Sequence, residues 1–515
     1  MKRTKPFFIA LLVLNLVTSV YSAYSQIWIW GDSCRIDFVN GTATVGKANC
    51  SGETSSILQL PNGLIYASAC EKDLIANGLY AGRVYNTTGG YISWWPYLYG
   101  DGRSNNLILI PYPDDSSKAF VFQKAWSQLP PIYSLKYSVV DIYGNGGTGV
   151  MLQQNVPLLQ AYLSDAMHAL RHGNGRDWWV YVRECALDSS TASNLWFRYL
   201  VDPNGIHGPF TQNIGQLSYF NFDELNFDPS GSKAVYLTQD GIFDLYDVDR
   251  CTGEFYNFQQ IHQRFPYYFF NPPYPPKDEW SRTGAYSPNG RYFYSTAGFN
   301  GIADTAYLMQ FDMQAANIWA SRQVIYRFPP QVQGIDYYPW ELRRAPDNKI
   351  YLTGYGYAYP YADTCYHITN QYLSVINSPD SAGLACNFTP FSFYLGGNRT
   401  YSCLPDMPDY SIGVATGSGC DTLLATGQSW PEETMSLLQC WPNPFYNELN
   451  IRWGGMHPLK YIKVLNADAR EVVVMDAPPG EIITIPLREL SAGIYFIEAA
   501  GTTGKTFYKK MIKVE

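Results

Sequence analysis

The chain is poor in charge and in the motifs that carry common chemistries. Only 16% of its 515 residues are charged, and no run of Lys and Arg is long enough to track a phosphate backbone. With a formal charge of −8 and a pI near 5.4, nucleic-acid binding is excluded as an expected function. Ten cysteines are present but no C-x-x-C, which excludes a zinc ribbon or a thioredoxin-type redox pair. No G-x-S-x-G occurs, so no nucleophile elbow is expected. His168 and His172 have the i, i+4 spacing of zinc ligands, but Ala169 stands where a zincin needs its glutamate, leaving packing or loop hydrogen bonding as their role. GNGGTG at 144–149 lacks the Lys-Ser/Thr of a phosphate loop and reads as a turn. After residue 20 there is no second long apolar stretch, so no transmembrane segment is expected in the mature chain.

What is abundant is aromatic. Phe, Trp and Tyr make up 16% of the chain, 43 of them Tyr, alongside 43 Gly and 33 Pro. Aromatic side chains suit a pleated, half-buried surface, and Gly and Pro mark turns, so the composition favours an all-β fold. Lys2, Arg3 and Lys5, an apolar run from Phe7 to Val20 and the small-residue stretch ending at Ser25 read as a signal peptide over 1–25. Export permits disulfides, with Cys403–Cys420 and Cys365–Cys386 as the local pairs to test first.

A phrase recurs along the chain. Residues 226–255, 285–313 and 344–357 each contain a strand, a turn (Pro-Ser-Gly, Pro-Asn-Gly or Pro-Asp-Asn) and a further strand. Weaker copies at 56–69, 106–125 and 175–206 make six units, and YSCLPDMPDY at 401–410 could join the first mature strand, IWIW, in a seventh. Recurring sheets that cannot bury both faces alone close into a ring, which predicts a β-propeller of about six to eight WD40-like blades over 26–410. Stacked β-sandwiches are the alternative. Residues 158–172 fit either a short helix or a strand and loop. After Tyr410 the texture turns small and polar, predicting a linker over 411–436. Short strands at eight-to-twelve-residue spacing then predict a small Ig-like β-sandwich over 437–515.

The last segment resembles the type A C-terminal sorting domain of the Bacteroidetes type IX secretion system. The resemblance rests on Trp441-Pro442-Asn443-Pro444 before a strand, on Leu490-Ser491-Ala492-Gly493-Ile494-Tyr495-Phe496, and on a basic tail with Lys505, Lys509, Lys510 and Lys513. Trp441 departs from the usual tyrosine. The resemblance implies two partners, the outer-membrane translocon and a sortase-like peptidase that cuts in the linker, and hence secretion or attachment at the outer-membrane surface. The larger region resembles propeller-like proteins of unassigned activity carried by that domain. The matching stretches are Ile27-Trp28-Ile29-Trp30-Gly31, Ile36-Asp37-Phe38, Tyr137-Ser138-Val139-Val140-Asp141, residues 172–179 (HGNGRDWW), Asp249-Arg250-Cys251-Thr252-Gly253, and Leu404-Pro405-Asp406-Met407-Pro408-Asp409-Tyr410. Asp304-Thr305-Ala306, Asp380-Ser381-Ala382 and Asp421-Thr422-Leu423 resemble the O-glycosylation triplet of these bacteria.

No catalytic residue, metal site or cofactor is expected. Asp244, Asp247 and Asp249 lack the glycine that closes a calcium loop. Asp101, Asp177, Glu184, Glu279 and Glu341 could form a glycosidase pair only if folding brought two together. Three or more carboxylates or histidines converging at a mouth of the central channel would mark an enzyme. Trp178 and Trp179 are expected to alternate, one buried and one exposed, behind an anchoring Arg176-Asp177 pair. Tyr91, Trp94, Trp95, Tyr97 and Tyr99 are too many rings for one strand face to hide, so 91–99 is the candidate glycan-contacting loop. The expected function is a secreted, non-catalytic glycan- or protein-binding module. A polysaccharide-acting hydrolase or lyase on the same scaffold is the alternative.

Overall fold

A computed structural model describes residues 26–421 and 438–514, apart from short stretches inside each span, the longest at 264–280. The signal-peptide residues lie outside the described residues. The chain divides into two compact units, Met1–Thr422 and Leu423–Glu515.

Among the described residues the first unit is a β-propeller whose seven blades are antiparallel sheets of consecutive strands, with a two-stranded ribbon, Gln331–Val332 and Ile335–Asp336, between the last two blades. Blade 1 has three strands, from Ile27–Trp30 to Thr42–Lys47. Blades 2 to 7 have four each. Their innermost strands are Gly52–Leu60, Leu107–Tyr112, His168–Arg171, Asp223–Phe227, Ser281–Tyr286 and Tyr338–Arg344. Apolar clusters join each blade to the next. Ile29 meets Ile57 and Tyr66 between blades 1 and 2, and Leu58, Phe122 and Val180 span blades 2 to 4. Trp196 with Tyr236, Leu237 with Phe293, and Tyr294 with Leu352 continue round the ring. Trp28 against Tyr351, with ring centroids 5.6 Å apart, closes blade 7 onto blade 1. Closure leaves no blade face without a neighbour, which is how an aromatic-rich set of small sheets avoids exposed apolar surface.

The repeated phrase has one geometry. In Asp228-Pro229-Ser230-Gly231, Ser287-Pro288-Asn289-Gly290 and Ala345-Pro346-Asp347-Asn348 the fourth residue donates its N–H to the first carbonyl at 2.9, 2.9 and 3.0 Å. That fourth residue is left-handed in each, with φ of 70°, 72° and 62°, which explains Gly or Asn there.

Of the two readings of residues 158–172, the strand and loop holds: Val150–Gln160 and His168–Arg171 are strands joined by a loop. Three expectations are corrected. Both Trp178 and Trp179 are buried, since neighbouring blades cover both faces of that strand. Cys420 bonds Cys251, not Cys403, and Cys365 and Cys386 do not pair. Residues 401–410 form no strand of blade 1; they lie in the channel, as described below.

The second unit is a β-sandwich. Leu438–Trp441, Glu448–Trp453 and Ile482–Pro486 make one sheet. Glu471–Asp476, Leu459–Asn466, Gly493–Gly501 and Thr506–Lys513 make the other. Leu449, Ile451, Ile462, Val464 and Ile497, all fully buried, form the core between them.

Candidate functional site

Past its last propeller strand the chain returns through the ring and fills the central channel with its own residues. The Trp30 indole donates to the Thr400 hydroxyl at 2.9 Å, and Arg399 pairs with Asp32 at 2.8 Å. The Leu404 N–H donates to Glu341 on blade 7 and the Asp406 N–H to the Ser55 carbonyl on blade 2. Tyr410, fully buried, donates its hydroxyl toward the carbonyls of Ile57 and Leu109 on blades 2 and 3, at 3.0 and 2.6 Å, with Trp178 of blade 4 edge-on to its ring. Pro405 and Pro408 were the available sign that this stretch is no strand, because proline cannot donate to a ladder.

The plug then leaves along blades 4 and 5. Ala415 N–H donates to the Gly173 carbonyl, and the Arg250 guanidinium donates to the carbonyls of Gly413, Arg171 and His172. A Cβ on Gly173 would sit 2.4 Å from Cys420 Sγ, and one on Gly175 2.4 Å from Val414 Cγ2, so both positions require glycine. The Cys251–Cys420 disulfide spans 169 residues, and a loop of that size constrains the unfolded chain by about 5 kcal/mol. Most of the stretches that carry the propeller resemblance therefore serve one purpose, holding the plug. Residues 411–421, expected at the start of the linker, lie against the propeller; 422–437 lie outside the described residues.

Inside the channel three carboxylates converge on one cation. Arg343 pairs with Glu224 at 3.1 Å, with Asp406 at 2.9 Å and with Glu341. Glu341 was a candidate from the sequence, Asp406 stood only within the resemblance stretch 404–410, and Glu224 carries no sequence signal, because only the ring brings blades 5 and 7 and the plug together. All three are within 3% of full burial, so the count that would mark an enzyme is met inside the plug, not at an open mouth. Burial lifts Glu224 to about 7, opposed by Arg343 and reinforced by Glu341, and burial likewise lifts Asp406. Folded Glu224 thus keeps a proton that the unfolded chain releases above its ordinary 4.5. Its contribution to stability is fully present below 4.5 and is lost as pH rises through about 7. Urea unfolding at about pH 5 and about pH 8 should show the wild type losing on the order of 2 kcal/mol over that range, and Glu224→Gln should flatten the loss. An unchanged slope in the variant would refute this.

Where the inner strands of blades 5 to 7 end, a cavity of about 360 Å³ remains between those strands, the start of the inner strand of blade 4 and the plug. Its walls include Trp28, Phe227 and Tyr286, with the Arg344–Asp409 ion pair on the plug side. His168 lies here, edge-on to Phe227 and bonded through Nδ1 to the Ala169 carbonyl; burial holds it neutral down to about 4. His172 is elsewhere, bonded to the Cys251 carbonyl.

The aromatic loop lies apart from the channel. Tyr91 and Trp94 are 65% and 47% exposed, and Tyr97 is half-buried. The Arg83 guanidinium stacks on the Tyr91 and Tyr97 rings at 4.8 and 5.1 Å and is ion-paired to buried Glu71. Trp94 exchanges two backbone bonds with the Gln154 side chain of blade 3, at 3.2 and 2.7 Å. Tyr99 lies in the last strand of blade 2, and Trp95 lies outside the described residues.

The remaining candidates do not converge. Asp244 bonds Gln216 and Tyr246, Asp247 bonds Lys233 and Asn257, and Asp249 caps the turn at Cys251. Asp177 pairs with Arg176 and Asn174, and Glu184 accepts from Ser193. Asp101, Glu279, Asp304, Thr305 and Thr422 lie outside the described residues. Asp380 accepts from the Asn289 N–H, and Ser381 beside it is half-buried. Among the described residues no group of three or more His, Cys, Asp or Glu could hold a metal.

In the second unit Trp441 ends a strand and Pro442, Asn443 and Pro444 lie outside the described residues. Phe445 immediately after them is buried, exchanges backbone bonds with Ile512 and Val514, and meets Tyr495 at 6.3 Å. Gly493 opens the strand carrying Tyr495, whose hydroxyl donates to the Ser491 carbonyl. Lys509 and Lys510 lie on the last strand opposite Ile497 and Phe496.

Residues 439–514 match the family of secretion system C-terminal sorting domains. Among curated proteins none matches the chain in sequence. Solved structures similar to it include the periplasmic gluconolactonase of Pseudomonas aeruginosa, 12% identical with a TM-score of 0.42, covering 74% of this chain and 98% of that one. An auxiliary nutrient binding protein of Bacteroides thetaiotaomicron is 10% identical with a TM-score of 0.32, covering 64% and 67%. The β-propeller domain of Cps50 (Swd1) from Myceliophteria thermophila is 10% identical with a TM-score of 0.32, covering 64% and 93%. The sorting domain makes this a protein of the type IX system, secreted and attached at the cell surface. No helix among the described residues is long and apolar enough to cross a membrane.

Proposed function

We propose that this propeller is a non-catalytic glycan-binding module displayed at the cell surface, with Tyr91 and Trp94 as its contact. The observation that supports this is an exposed pair of rings on a fixed base. Arg83, tied to Glu71, holds Tyr91, and Gln154 holds Trp94. Aromatic faces stack on the apolar faces of sugar rings, and a base already in place lowers the ordering cost of binding. Tyr97 belongs to that base, while Trp95 and Tyr99 remain part of the proposed loop. The translocon and a sortase-like peptidase are its proposed export partners.

On a glycan array the full chain should give a specific signal that Tyr91→Ala with Trp94→Ala removes, a loss of at least about tenfold in affinity. A signal unchanged in that double variant would refute the site, and a protein ligand would then be sought on other surfaces. The second reading is a polysaccharide hydrolase or lyase; the buried cluster of Glu224, Glu341 and Asp406 would serve it only if the plug moved aside. Release of new reducing ends from polysaccharide, lost in Glu341→Gln, would support it.

A further inference from the structure

We propose that the channel-mouth cavity is a second ligand site, binding a neutral polyhydroxylated ring of monosaccharide size. The cavity of about 360 Å³ falls within the roughly 300–1,000 Å³ of small-molecule sites. Two neighbouring inner strands each contribute to its lining a residue whose polar atom is buried without a hydrogen-bond partner. They are Asn226 of blade 5, through Nδ2, and Tyr286 of blade 6, through its hydroxyl. Both side chains belong to residues more than nine-tenths buried. A buried donor left unsatisfied costs roughly 1–3 kcal/mol, so two on one cavity point to a partner that arrives from outside the chain.

The charge of the lining narrows the ligand. Arg344 is paired with Asp409, and Arg343 is held by three carboxylates, so neither guanidinium is free to draw an anion. His168 stays neutral across physiological pH. Trp28, Phe227 and Tyr286 supply aromatic wall beside the amide and the hydroxyl. Aromatic side chains with a few neutral hydrogen-bonding groups suit a sugar ring better than a phosphate, a carboxylate or a hydrocarbon.

This site is independent of the aromatic loop, and the test separates the two. The full chain is titrated calorimetrically with the methyl glycosides of glucose, galactose, mannose and N-acetylglucosamine. At least one should bind, Tyr286→Phe and Asn226→Leu should each weaken it about tenfold, and Tyr91→Ala with Trp94→Ala should leave it unchanged. Thermal melting verifies that the variants are folded; Tyr286→Phe keeps the ring and decides the matter if Asn226→Leu fails to fold. No binding of any of the four, or equal binding by wild type and Tyr286→Phe, overturns the proposal. Loss of binding in the Tyr91/Trp94 variant instead assigns the monosaccharide to the loop and overturns it too.

Discussion

Deleting residues 441–515 is expected to abolish display at the cell surface while leaving the propeller folded. The sorting domain has its own core, in which Phe445 joins the segment after Pro444 to the last strand through Ile512 and Val514. A fold that stands by itself can be read as an address after the cargo has folded. The propeller should survive the deletion because the disulfide at Cys420 and the plug contacts all lie before residue 422. Protease shaving of intact cells, with a blot against the propeller, measures the effect. Near-complete loss of surface signal with accumulation of soluble, disulfide-bonded propeller inside the outer membrane is the expected result. Surface signal equal to that of the full chain would remove the sorting assignment. A point change at Trp441 is a weaker test, since Phe445 supplies a nearby ring.

The plug makes the second large prediction. Tyr410→Ala should destabilise the propeller by about 4 kcal/mol, the usual cost of truncating a large buried ring. Tyr410→Phe should cost only about 1–2 kcal/mol, because it removes the hydroxyl bonds to Ile57 and Leu109 and keeps the packing. Tyr410 touches blades 2, 3 and 4 at once, so losing it loosens three inner strands, not one. Equilibrium urea unfolding of the full chain gives both numbers, and limited proteolysis near residue 410 should accelerate in the alanine variant. A loss below about 1 kcal/mol for Tyr410→Ala would show that the channel segment is not what closes the ring.

The same residues show how far local sequence carries. Turn chemistry was legible wherever a backbone conformation demanded it. Gly231, Gly290 and Asn348 sit in the left-handed region, and each marks the start of a blade's second strand. The second unit was legible as a small β-sandwich because its alternating strands and short turns are set within ten residues of one another, and its sorting role was legible only through the resemblance at 441–444 and 490–496. Residues 401–410 were misassigned to a strand for the opposite reason. Their apolar density is that of a strand, while their partners lie up to 353 positions away. Likewise Cys420 has a near neighbour in sequence, Cys403, yet its disulfide partner is 169 residues back.

By itself the sequence determined that the chain is all-β, that it repeats, and that a separate small β domain follows the repeats. Each of these follows from composition, from alternation at period two, or from turn residues whose φ must be positive. Only the tertiary structure decided that there are seven blades, that the channel is filled by residues 399–415, and that Glu224, Glu341 and Asp406 share Arg343. Ring closure is the physical reason. It sets side by side strands that are distant in the chain, and no local pattern records which residue will face which across an axis. The aromatic loop stands between the two cases. Its excess of rings was visible in the sequence, but which of them reach solvent was settled by Arg83 and Gln154 from neighbouring strands.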